Sequence, residues 1–248
     1  MKRSPIFLGF AVVLAVAAIG GAAGLAYLFL RGAPPAAVSL DPGASGPAAS
    51  PGSVPSAAIG TLAAGVDGTW AVDTSIGSFS DFSNSWVGYR VDETLAGNKA
   101  NTAVGRTPDV SGSLVMSGTQ ITSVEITATL TSLKSDDDKR DGQLQRQALE
   151  TSQFPQATFK LTTPIDLGTV PTDGETVAAT ASGELTLHGV TRTVEVPIQA
   201  KLSGDVVTVV GSIEITFSDF SIDQPVSFAV LSIEDHGTME LQLHFRHQ

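Results

Sequence analysis

Two runs of strict alternation, Val177 to Leu187 and Val194 to Leu202, face each other across His188-Gly189 and commit this chain to a β-hairpin. Val177, Ala179, Ala181, Gly183, Leu185 and Leu187 put small or apolar side chains on one face. After the turn Val194, Val196, Ile198, Ala200 and Leu202 do the same. A period of two over this length predicts half-buried antiparallel strands. Gly189 closes the turn because glycine takes positive φ at little steric cost. The rhythm recurs at Trp70 and Val72, at Val87, Tyr89 and Val91, and at Leu114 and Met116. It returns at Val124 to Leu130, Ala157 to Leu161, Val207 to Phe217 and Met239 to Phe245. Many such strands with turn-rich joints predict an all-β sandwich or barrel, and closure into a barrel removes exposed edges.

One segment departs from this rhythm. In Ser135 to Thr151, SDDDKRDGQLQRQALET, Ser135 and Asp138 have capping-box spacing, and acids in a first turn suit the helix dipole. Leu144, Ala148 and Leu149 fall on one face. The expectation is a single short helix ending near Gln153, before Phe154-Pro155.

Residues 1–31 predict a cytoplasmic stub and a single transmembrane anchor. Pro5 to Leu30 is uncharged, is preceded by Lys2 and Arg3, and exceeds the ~20 apolar residues a spanning helix needs. The basic start places the N-terminus in the cytoplasm and the rest of the chain outside. Gly24-Leu25-Ala26 also offers a small-x-small cleavage site, which would leave a secreted protein. Gly20 and Gly24 have the spacing that packs two spanning helices into a homodimer, though an Ala/Gly-rich run produces it by composition alone. Residues 32–65 turn to Ala, Pro, Gly and Ser and read as a disordered linker, reaching roughly 30–35 Å on average.

Residues 66–248 are then one β domain. Of 14 basic and 25 acidic residues, Lys2, Arg3, Arg31 and Asp41 lie outside it, which leaves 11 against 24 and a formal charge of −13. Such a surface repels nucleic acid and anionic headgroups. The chain has no cysteine, which excludes disulfides and lipid attachment through a thiol.

Five motifs in order carry a resemblance. They are GTWAVDT (68–74) with WVGYRVDE (86–93), Arg140-Asp141 opening a Leu-bearing helix, FPQATF (154–159), GELTLHGVTRTVEV (183–196) and FSDFSIDQP (217–225). Together they resemble the YceI family of bacterial extracytoplasmic proteins. The resemblance implies a lipocalin-like antiparallel up-and-down barrel of about eight strands with one short helix. It also implies a binding protein for a polyisoprenoid, an isoprenoid quinone or a similar long-chain amphipathic lipid, used in storage, transport or envelope stress protection. One departure stands out. Where many members read Arg-Asp-x-His-Leu, this chain has Gln143 in the histidine's place, which puts headgroup recognition in question.

Eight-stranded barrels have room inside for side chains or one small ligand. Small inward residues such as Ala179, Ala181, Gly183 and Gly211 would leave such room beside Phe159, Leu187, Phe217, Phe220 and Phe228. The same residues would also pack a filled barrel, leaving a protein-interaction module at the envelope as the alternative; the resemblance favours a cavity. At the rim, Lys139 and Arg140 are candidates to meet a headgroup, since Arg forks match phosphate oxygens. Arg140 could equally pair with Asp141 or Asp219 to fix the helix. His188 reads as a hydrogen-bonding turn residue, and Asp219 as a partner for it or for Arg140.

The run Asp136 to Asp141 fails as a calcium loop, because Lys139 stands at a ligand position and Ala148 at the bidentate one. His244 and His247 lack partners in sequence for zinc. No nucleophile elbow, Ser-His-Asp order or phosphate-cradling loop is visible, so neither catalysis nor a cofactor is expected. An enzyme acting on isoprenoid intermediates would need a convergent polar cluster in its pocket.

Overall fold

The computed structural model describes residues 33–40, 65–95, 97–225 and 230–248. The expected anchor, its glycine pair and its cleavage site lie outside these residues, as does most of the expected linker. No helix among the described residues is long and apolar enough to cross a membrane.

Strands β1 (Gly68–Val72), β2 (Trp86–Leu95), β3 (Lys99–Thr107), β4 (Val110–Ser117) and β5 (Gln120–Thr129) come first. After them come β6 (Lys134–Ser135), β7 (Gln156–Leu161), β8 (Ile165–Asp166) and β9 (Thr176–Leu187). The chain finishes with β10 (Val190–Ser203), β11 (Val206–Thr216), β12 (Val230–Ile233) and β13 (His236–His247). Eight of them, β1-β4-β5-β7-β9-β10-β11-β13, hydrogen-bond in that order, and β13 returns to β1 through Trp70↔His247 to Val72↔Phe245. The result is an antiparallel eight-stranded barrel. Strands β2 and β3 form a hairpin inserted between β1 and β4, with β2 extending the sheet from the first half of β13.

The β9–β10 hairpin has the expected register, with Leu187 opposite Val190 and Ala181 opposite Val196. Both turn residues, His188 (φ 51°) and Gly189 (φ 73°), have positive φ. That backbone gives the turn the twist of its strands. Strand β3 was not expected, because KANTAVGRT mixes polar and small residues. It is held by nine pairs to β2 rather than by an apolar face of its own.

The helix is shorter than Ser135–Gln153 would make it. Helix α1 spans Asp138–Gln143 and runs into a wider turn over Leu144–Ala148. Asp137, not Ser135, caps it, accepting from the amides of Lys139 (2.9 Å) and Arg140 (3.4 Å). Ser135 is taken by β6, and its hydroxyl donates to Asp141 at 2.6 Å.

Buried side chains divide along the barrel. At the helix end Leu130, Leu133, Ala148, Leu149, Leu187, Ile215 and Phe220 pack together. At the other end Trp70, Val110, Leu114, Leu202, Leu243 and Phe245 do so. A smaller group, Leu161, Ile165, Ala181 and Val196, lies along β7 to β10.

Candidate functional site

The inward parity of β5, β7, β9, β10, β11 and β13 converges on a cavity of about 140 Å³. Ile126, Phe159, Ala181, Val196, Ile213 and Met239 are among its walls, and no polar surface faces it. An engineered cavity of ~150 Å³ with similar walls stays dry and takes benzene. The interior therefore favours an apolar group and excludes ions.

Phe159 and Ala181 lie on this wall. Ala179 is half-buried against the group around Leu161 and Ile165. Leu187, Phe217 and Phe220 belong instead to the helix-end packing. They lie where β9 and β11 run out beneath the helix, so they close the barrel and do not line its cavity. Phe228 lies outside the described residues. The glycines act differently from the expectation. A Cβ at Gly183 would sit 2.5 Å from the Phe159 ring, so that ring already occupies the space the glycine leaves. Gly105 makes the same room for the ring of Tyr89. The cavity owes its volume to alanines such as Ala128, Ala157, Ala181 and Ala200 set among branched side chains.

Polar groups gather at the helix end. Glu93 continues the inward parity of Val87, Tyr89 and Val91 and is buried. It accepts from Arg140 Nη2 at 2.8 Å and from Asn101 Nδ2 at 2.7 Å. Arg140 also pairs with Asp136. Burial works against the charge of Arg140, but the Glu93 carboxylate beside it raises its pKa on balance. Arg140 thus fixes α1 to the barrel through Glu93, not through Asp141 or Asp219. With two carboxylates on it, its fork is not presented to a phosphate. Lys139 is exposed and points to no part of the cavity wall.

Next to this pair, the Tyr89 hydroxyl is buried without a hydrogen-bond partner among the described residues. Burial pushes its pKa up. Tyr89 pairs across the sheet with Met239, a cavity residue. It therefore stands between the apolar chamber and the Glu93–Arg140 pair.

His188 ties the closing elements together. Its Nδ1 lies 3.2 Å from the Phe220 carbonyl and its Nε2 3.1 Å from Glu150 Oε2, while Phe154 meets the ring edge-on at 4.6 Å. Asp219 is not its partner: its side chain is exposed, and its carbonyl accepts from Arg192 Nε at 2.9 Å. Sequence reasoning missed Tyr89 and Glu93 as site residues. The legible signal was a carboxylate at core parity, since a charge there needs a buried partner.

These features define the class of the protein: an all-β antiparallel eight-stranded barrel with an apolar interior cavity and one short helix at its closed end. Within it, the YceI-like domain model matches residues 70–245, and the chain belongs to that family. Among solved structures it is similar to a polyisoprenoid binding domain from Saccharophagus degradans implicated in plant cell wall breakdown. The identity is 19%, the TM-score 0.56, and the match covers 76% of this chain and 100% of that one. It is also similar to BcnA of Burkholderia cenocepacia, at 21% identity and a TM-score of 0.51, covering 70% and 98% of the two chains. No curated protein matches the sequence.

Proposed function

We propose that this protein is an extracytoplasmic carrier that holds the tail of a polyisoprenoid, an isoprenoid quinone or a similar long-chain lipid inside its barrel. The observation that carries the reading is the cavity, apolar on every side and bounded by alanines and branched side chains. The similarity to a polyisoprenoid binding domain supports it. Each buried ligand methylene contributes ~0.8 kcal/mol. The cavity of about 140 Å³ has room for about one isoprene unit, by comparison with the benzene-sized void. A longer tail therefore enters by turning wall side chains aside, Met239 and Phe159 first, because an unbranched or single-ring side chain changes rotamer more cheaply than a β-branched one. The apolar run Pro5–Leu30 supports attachment to a membrane on the same reading.

Native mass spectrometry and solvent extraction of the purified full chain test this. A co-purified long-chain isoprenoid is the expected result. A ligand-free protein that takes up no added prenyl quinone or prenyl phosphate refutes it and leaves the barrel an interaction module.

A further inference from the structure

On the outer face of the barrel, where β13, β2 and β3 lie side by side, two opposite charges are buried. Glu240 and Arg106 are only 2% and 4% exposed. Parity makes this unexpected. Glu240 and Arg106 both sit opposite Gly88, one on each side of it, on the parity opposite to the inward Val87 and Tyr89, so both side chains leave the barrel outward. A charge on an outer face normally stays in water. Here each is covered. The Arg106 guanidinium stacks over the rings of Trp86 (3.9 Å) and Phe82 (4.3 Å). Glu240 accepts from Arg90 Nε at 3.3 Å and lies 3.7 Å from Arg106.

The remaining cover comes from residues 36–40, in the stretch that composition reads as linker. Arg106 Nη2 donates to the Ala36 carbonyl at 3.0 Å, and the Val38 amide donates to Glu240 Oε1 at 3.3 Å. One buried cation takes a backbone carbonyl and one buried anion takes a backbone N–H two residues on. Both contacts are charge-assisted, the stronger kind of hydrogen bond. Recognition through the main chain makes no demand on side chains, which explains how an Ala/Val stretch with no sequence signal is held.

We propose that the Arg106–Glu240 face is a clamp for an extended peptide backbone, and that its occupant is residues 36–40 of the same chain. The folded unit then begins at Ala36 rather than Val66.

Amide hydrogen exchange on the full chain in detergent tests the clamp itself, independent of any ligand or of the membrane. The Val38 amide is expected to exchange at least about ten-fold more slowly than an unstructured reference peptide of the same sequence. Arg106→Met should remove most of that protection while the amides of β13 stay slow. Where Arg106→Met loosens the barrel as well, Val38→Pro serves instead: it removes the donor on the strap and leaves Arg106 and Glu240 in place. It should raise proteolytic cleavage within 33–40 and leave β13 protected. Reference-rate exchange at Val38, Val38 protection unchanged by Arg106→Met, cleavage within 33–40 unchanged by Val38→Pro, or protection that grows with protein concentration each overturns the proposal. The last would mean that a second copy supplies the strap.

Discussion

Replacing Ala181 by leucine adds three carbons to the wall of the cavity, and the sign of its effect tests whether that volume is empty. Filling a void gains about 24 cal/mol per Å³, so the whole 140 Å³ is worth about 3 kcal/mol. Three buried carbons at ~0.8 kcal/mol each give ~2.4 kcal/mol by a separate route. Imperfect fit against Val196, the residue paired with Ala181, reduces this to about 1–2 kcal/mol. For a domain of this size that is about 2–8 °C in Tm, upward. The assay is urea and thermal unfolding of delipidated protein, paired with native mass spectrometry of protein purified without extraction. Leucine should stabilise the ligand-free barrel and lower its lipid occupancy, because the same volume cannot hold both. A loss of 1 kcal/mol or more with unchanged occupancy would refute the reasoning, since it would mean that the space beside Ala181 is already filled.

Two further outcomes follow from the polar contacts. Arg140→Met strands the buried Glu93 carboxylate and should cost about 2–4 kcal/mol in urea unfolding, somewhat below the range for a fully buried pair because Arg140 keeps 14% of its side chain exposed. The double variant Glu93→Met with Arg140→Met should recover most of that loss, and failure to do so would mean that the ion pair itself stabilises the closed end. Near the far end, the Ser75 hydroxyl and then Arg246 hold the Asp73 carboxyl down to about 2, below its ordinary 3.8. A depressed carboxylate stabilises above its unfolded pKa and loses that contribution as pH falls through the folded one. The stability gap between wild type and Asp73→Asn should therefore be full at pH 5–7, shrink below about 3.8 and vanish near 2. A gap that stays constant with pH would contradict it.

How much could be read in advance differs by element. Strands β9 and β10 were legible because each residue's parity sets which side of a sheet it faces, and both runs keep one apolar parity for eleven and nine residues. The single helix was legible from its break in rhythm, but its start was not. Ser135 and Asp137 are both good caps locally, and what chose between them was the pairing of Ser135 with Gly105 in β6. The cavity was half legible: Phe159 and Ala181 face it, whereas Gly183 looked like empty space and is covered by a neighbouring ring.

What the one-dimensional pattern determines by itself is local or periodic: an all-β class, the inward face of each strong strand, the His188-Gly189 turn and the family. These depend on near neighbours in the chain. What only the tertiary structure decided is which distant groups share a space. Glu93 meets Arg140 across 47 positions, Val38 meets Glu240 across 202, and alanines from separate strands leave one common void. Burial converts each of these from a solvated side chain into a contact that must be satisfied. No periodicity records that, because it depends on what the fold brings to cover it.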